Sequence, residues 1–132
     1  VYVAGLDDDA SKKVLTSAGV GLAALGSYAK MFCGATDYEN SAYGLSKACL
    51  NAYTRILASQ KPKLLVNSVT PGYILTDLTR GMGATNPPEK GTTAPVYSLF
   101  EATSTGWYYG SDEVRSPLDR YRGPGDPPYE GD

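Results

Sequence analysis

The chain of 132 residues contains no histidine. That removes the commonest general base at neutral pH, the Ser-His-Asp arrangement and most zinc sites together, so no metal is expected. Acid/base work must fall to tyrosine, lysine or a carboxylate. No apolar run approaches the eighteen or so residues that a membrane span needs. Lys and Arg number 12 against 14 Asp and Glu, for a net charge of −2, and the isoelectric point is near 5.1. The basic residues form no stripe, so neither nucleic acid nor membrane is an expected partner. There are 2 cysteines, Cys33 and Cys49, both in apolar surroundings, and no N-terminal segment reads as a signal peptide. The expected setting is a reducing cytoplasm.

What is present fits one globular domain: 42% hydrophobic and 20% charged residues, on a length able to bury about two thirds of its unfolded surface. The most informative stretch is SAYGLSKACLNAYTRILASQK, from Ser41. Its apolar residues Leu45, Ala48, Cys49, Ala52, Tyr53, Ile56 and Leu57 form the stripe of an amphipathic helix. Tyr43 and Lys47 stand four apart on a neighbouring face, where side chains one turn apart approach the same point. A phenol is a poor acid or base at neutral pH until roughly 4 kcal/mol favours the phenolate. An ammonium about 4 to 5 Å away supplies about 3 to 4 kcal/mol at an effective dielectric near 20. The pair has the chemistry of an assisted proton donor.

Tyr43-Gly44-Leu45-Ser46-Lys47 resembles the Tyr-x-x-x-Lys signature of the short-chain dehydrogenases/reductases, and KLLVNSVTPGYILTDLTRG from Lys63 resembles their next strand and Pro-Gly loop. Within that family the chain is most similar to carbonyl-reductase-like members, over about residues 40–110. The resemblance implies an α/β fold: the C-terminal portion of a Rossmann-type doubly wound parallel sheet. It also implies hydride transfer between NADP(H), in preference to NAD(H), and a small-molecule carbonyl or alcohol. Tyr43 would give or take the hydroxyl proton, and Lys47 would favour the phenolate while holding the cofactor ribose. Pro71, Gly72 and Ile74 would contact the nicotinamide amide, Thr76 the phosphate or amide region, and Tyr73 the substrate.

The family's Thr-Gly-x-x-x-Gly-x-Gly turn and Asn-Ala-Gly strand are absent, so the half that holds adenine and pyrophosphate is missing and this chain alone is expected to be inactive. The alternative is a non-catalytic remnant without cofactor, at most an oligomerisation module.

Along the chain, residues 1–5 are an apolar run ended by glycine, and Asp7-Asp8-Asp9 sits where a helix start favours acids. Residues 14–25 admit three readings. Val14–Thr16 as a strand would make Gly19-x-Gly21-x-x-Ala24 a dinucleotide fingerprint. Alternatively, Thr16-Ser17 would end the family's serine strand, making Ser17 the third catalytic residue. The preferred reading makes 11–32 a helix, a break at the glycines and a second helix, matching the insertion that carbonyl-reductase-like members carry before the tyrosine; the serine then lies upstream. Residues 1–40 are accordingly insertion or linker helices of a domain ending at 110.

The turn at 33–40 leads to Asn40 or Ser41 as helix cap. The helix stops before Pro62. Residues 64–69 read as a strand buried on both faces, and its stripe partner is expected to be that sheet, through Leu45, Ala48, Ala52 and Ile56. Residues 80–90 occupy the place of the family's substrate-covering segment. A helix to about Phe100 follows, which Pro95 kinks or delays to Thr93. Trp107–Gly110 is a short aromatic strand. Residues 111–132 hold four of the nine prolines and alternating charge, and read as an irregular tail. The protein is a monomer if the insertion covers the flank Cys49, Tyr53 and Leu57, and otherwise a homodimer through that flank.

Overall fold

The computed structural model describes residues 9–17, 19–33 and 42–131. The expectations for residues 1–8 and 34–41, including the Asn40 or Ser41 cap, lie outside these. Three helices come first: α1 (Asp9–Thr16), α2 (Leu22–Phe32) and α3 (Ala42–Gln60). Asp9 and Lys13 occupy the ends of α1 that suit their charges. The break falls at Ser17–Gly21, as the glycines predicted. Gly26 nevertheless lies inside α2, where burial of its neighbours Leu25 and Tyr28 outweighs a propensity cost of about 1 kcal/mol.

Helical structure through Thr16 overturns two of the three readings of residues 14–25. No strand precedes Gly19 and Gly21, so they cannot form a strand-turn-helix fingerprint. Ser17 closes a helix rather than a strand, and its Oγ accepts a hydrogen bond from the Gly19 N–H at 3.3 Å.

The core gathers Leu15, Leu25, Tyr28, Ala48, Ala52 and Ile56, with Val14, Phe32, Leu45 and Cys49 packed against it. The α3 stripe is therefore buried as expected, but against α1 and α2 instead of a sheet. The sheet side of α3 is a different face, where a Cβ added at Gly106 would lie 3.4 Å from the Ala58 Cβ. Of the expected flank, Cys49 joins the helical core while Tyr53 is exposed. Helix α3 is thus sandwiched, and small side chains on two faces allow close approach on both.

Strands β1 (Ser68–Val69), β2 (Tyr108–Tyr109) and β3 (Arg115–Ser116) form a mixed sheet in the order β1-β2-β3. The pair β1/β2 is parallel, Ser68 opposite Tyr108 and Val69 opposite Tyr109. The pair β2/β3 is antiparallel. The chain crosses from β1 to β2 through a 3-10 turn (Pro88–Thr92) and α4 (Thr93–Phe100), which makes one β-α-β unit. Helix α4 starts at Thr93, as predicted from Pro95: in the first turn the missing N–H has no acceptor to lose.

The strand expected over 64–69 is confined to its last two residues, and Leu64 and Leu65 are 57% and 60% exposed. Its start is held by side-chain bonds, with the Val66 N–H donating to Thr105 Oγ1 at 2.9 Å and the Trp107 N–H to Asn67 Oδ1 at 3.0 Å. With β2 as its one strand neighbour among the described residues, β1 stands at the edge of the sheet, and both of its residues are half-buried. A doubly wound sheet is not seen among the described residues. No helix among them is long and apolar enough to cross a membrane.

Candidate active site

Tyr43 and Lys47 lie on the first two turns of α3, and the Lys47 Nζ stands 5.4 Å from the Tyr43 ring centroid. The two side chains approach each other as a cation over a ring face. Tyr43 is 75% exposed, so its hydroxyl is open to an incoming oxygen and to solvent.

The second half of the site comes from the carboxyl end of β1. Thr70 donates its N–H to the Tyr109 carbonyl at 3.0 Å, and its Oγ1 accepts from the Gly72 N–H at 3.3 Å. Gly72 has φ +84, and an added Cβ would sit 3.1 Å from the Ser111 Cβ. Both the left-handed backbone and the close approach require glycine here. Tyr108, on β2, ties the two halves together. Burial raises its phenol above the ordinary value; a hydrogen bond with Thr70 opposes this, and the nearby phenols of Tyr121 and Tyr43 add to it. Helix α3 meets this edge through Asn51, which shares a cavity wall with Thr70, Gly72 and Tyr108.

The remaining predicted residues turn toward the 79–86 loop. Tyr73 donates its hydroxyl to the Met82 carbonyl at 2.6 Å. Ile74 forms a bridge with Asn86 and accepts from Thr79 Oγ1 at 2.6 Å. The Thr76 N–H donates to Thr79 Oγ1 at 2.8 Å. The segment read as a polar covering loop is pinned to the Pro-Gly loop by these bonds. Ser17 is not brought to Tyr43; it lines a different cavity, beside Arg55 near the far end of α3.

No family model matches the chain. Among curated proteins it is 40% identical over 75 residues to salutaridine reductase of Papaver somniferum, covering 56% of this chain and 24% of that one. It is 42% identical over 76 residues to short-chain dehydrogenase/reductase 1 of Saponaria officinalis, covering 56% and 25%. Carbonyl reductase [NADPH] 1 of Mus musculus is 39% identical over 66 residues, covering 46% and 24%. The chain is related to the short-chain dehydrogenases/reductases. It spans about a quarter of the length of these curated relatives.

Beside the Thr70–Gly72 edge lies a cavity of about 270 Å³, walled by Asn51, Thr70, Gly72 and Tyr108 and closed by Leu118 and Tyr121 of residues 111–131. That tail, expected to be irregular, contributes β3 and is clasped. The two terminal nitrogens of Arg122 meet the Asp112 carboxylate at 3.0 and 2.9 Å, and the Gly125 N–H adds a bond at 3.0 Å. The Arg122 guanidinium beside it, foremost, holds the Asp112 carboxyl at about 2. An added Cβ at Gly110 would lie 2.6 Å from Asp112 Oδ1, so glycine lets the clasp close over the end of β2.

Asn51, Tyr108 and Tyr121 were not singled out from the sequence. Asn51 follows Lys47 by one helical turn, a spacing that could have flagged it. Nothing local marks Tyr108 or Tyr121, which the sheet pairing and the tail clasp bring in.

Proposed function

We propose that in the complete protein this chain supplies the catalytic and nicotinamide-side part of an NADPH-dependent short-chain carbonyl reductase, within a Rossmann-type doubly wound sheet. The observation that carries this reading is that α3, the helix bearing Tyr43 and Lys47, meets the Thr70–Gly72 edge at Asn51, one turn beyond Lys47, in a cavity shared with Tyr108. The parallel β1/β2 pair with its helical crossover is compatible with such a sheet, and open α/β sheets bind ligands at their carboxyl edge.

The residues fit a nicotinamide cofactor. Lys47 has no carboxylate partner among the described residues and offers its ammonium to ribose hydroxyls, and the Gly72 backbone allows a flat ring to approach closely. Pro71, Ile74 and Thr76 complete the cofactor side, and Tyr73 the substrate side. When bound, the cofactor supplies the hydride that reduces the carbonyl carbon. Tyr43 hydrogen-bonds the carbonyl oxygen and transfers its phenolic proton there as negative charge develops. Lys47 stabilises the resulting phenolate, and the exposed Tyr43 is reprotonated from solvent. The product is the alcohol.

Of the flank Cys49, Tyr53 and Leu57, Cys49 is covered by the helical core, which accords with a monomer, while the exposed Tyr53 leaves part of that flank open to a second copy. Two free thiols, Cys33 and Cys49, accord with a reducing cytoplasm.

Lys47→Met provides the test, because Lys47 is assigned to both cofactor and phenolate. In the complete protein, NADPH Kd should weaken about 10- to 100-fold, the worth of a charge-assisted hydrogen bond, and turnover should fall with it. Fluorescence titration of NADPH and steady-state kinetics read the two effects. Unchanged Kd and turnover would reduce Lys47 to a solvated helix residue and sink the reading.

A further inference from the structure

A second cavity lies away from Tyr43. About 600 Å³ in volume, it is bounded by the end of α1, the last turns of α3, the entry to β2 and the tail. Arg55, on its wall, is twelve residues beyond Tyr43 on α3, which places it about 18 Å further along the helix. The volume is in the range of small-ligand sites.

The notable group on the wall is Arg115. Its guanidinium carbon lies 4.3 Å from the Trp107 ring centroid and 5.1 Å from that of Tyr129. Its backbone is fixed by pairing with Tyr109 and by the Tyr129 N–H on its carbonyl at 3.1 Å. The planar fork is therefore held on ring faces, with no carboxylate partner among the described residues. Three of the other four arginines have a carboxylate partner, and the fourth is held by a backbone carbonyl. Arg80, Arg120 and Arg122 each pair with an aspartate, and Arg55 donates to the Thr16 carbonyl. Asp119, a carboxylate on the same wall, is engaged by Arg120 at 3.4 Å.

A half-buried cation on neutral partners has lost part of its hydration without gaining a counter-charge, and an anion entering the cavity restores that loss. A pre-organised guanidinium edge matches the two oxygens of a carboxylate. We propose that this cavity is a second ligand site, taking a small organic monocarboxylate with an apolar body. Arg115 grips the carboxylate, Arg55 supplies the second positive charge, and Leu118 and Tyr129 flank the apolar part. The site is independent of the carbonyl-reductase reading, and carbonyl reduction need not be measured to test it.

Trp107 is the chain's single tryptophan and lies under Arg115, so its fluorescence is a direct reporter. The 132-residue chain is titrated with sodium benzoate and, separately, with inorganic phosphate, following Trp107 emission and the arginine Nε–H resonances. Benzoate should saturate both signals below about 10 mM, a modest affinity for one ion pair and a small apolar body. Arg115→Gln should weaken binding at least about tenfold, with Arg115→Lys intermediate because an ammonium lacks the fork. Arg80→Gln, at an exposed ion pair elsewhere, should leave it unchanged. Should Arg115→Gln disturb the tail, Arg55→Gln and the wild-type resonance map still decide. No saturation by benzoate, equal shifts at Arg80 and Arg115, or preference for phosphate would each overturn the proposal.

Discussion

Replacing Tyr43 by phenylalanine should lower carbonyl reduction by the complete protein at least about 100-fold, and up to about 10,000-fold, the range that a positioned proton donor contributes. The substitution removes one oxygen and keeps the ring. The ring lies at the start of α3, 75% exposed, so its loss of polarity disturbs neither the helical core nor the sheet. Lys47 retains its ring face, and NADPH affinity should change little. A fall in kcat and kcat/KM together, at constant cofactor Kd, is the signature of an interaction made in the transition state. Retention of more than a few per cent of kcat would remove Tyr43 from the proton-donor role. The proximity of Tyr108 makes Tyr108→Phe the natural control: it keeps Tyr43 and should retain most of the activity.

Unfolding of the chain should be markedly easier in Arg122→Met. The guanidinium side chain is 5% exposed and its Asp112 partner 21%, so truncation leaves a largely buried carboxylate facing a methyl group. The loss of charge-assisted bonds is expected to cost about 2 to 3 kcal/mol, read as a shift of the urea midpoint at pH 7. The pair also sets a pH dependence with a defined sign. The Asp112 carboxyl is lowered from 3.8 to about 2 in the folded chain, so its contribution is fully present above the unfolded value and is lost as pH falls through the folded one. That contribution is about 2 kcal/mol. Wild-type stability should therefore drop between about pH 4 and pH 2 by that amount, and Arg122→Met should lack this component. Equal urea midpoints for the two proteins at pH 7 would show that the clasp is a surface ornament and that other contacts fix the tail.

Local patterns in the sequence were enough to place α3, with its stripe and the Tyr43–Lys47 spacing, because helical periodicity and an i, i+4 pair need only neighbouring residues. The helix-break-helix before it, the start of α4 at Thr93 and the aromatic strand at Trp107–Gly110 were legible for the same reason: glycine and proline act on the backbone where they stand. Four things required tertiary structure. The α3 stripe meets α1 and α2, since any apolar surface of the right width could have filled that role. The 64–69 run became two residues of strand, since its length is set by how many neighbours the sheet supplies. Ser17 was carried away from Tyr43 by the helical course of α1. Last, the polar, proline-rich tail found its place through Arg122, Asp112 and the Gly125 amide, groups three to thirteen residues apart whose hydrogen bonds satisfy one another only once the chain has turned back on itself. Hydrophobic patterning carries no trace of such bonds, which is why the wall beside Thr70 and Gly72, with Tyr121 in it, was decided by the fold alone.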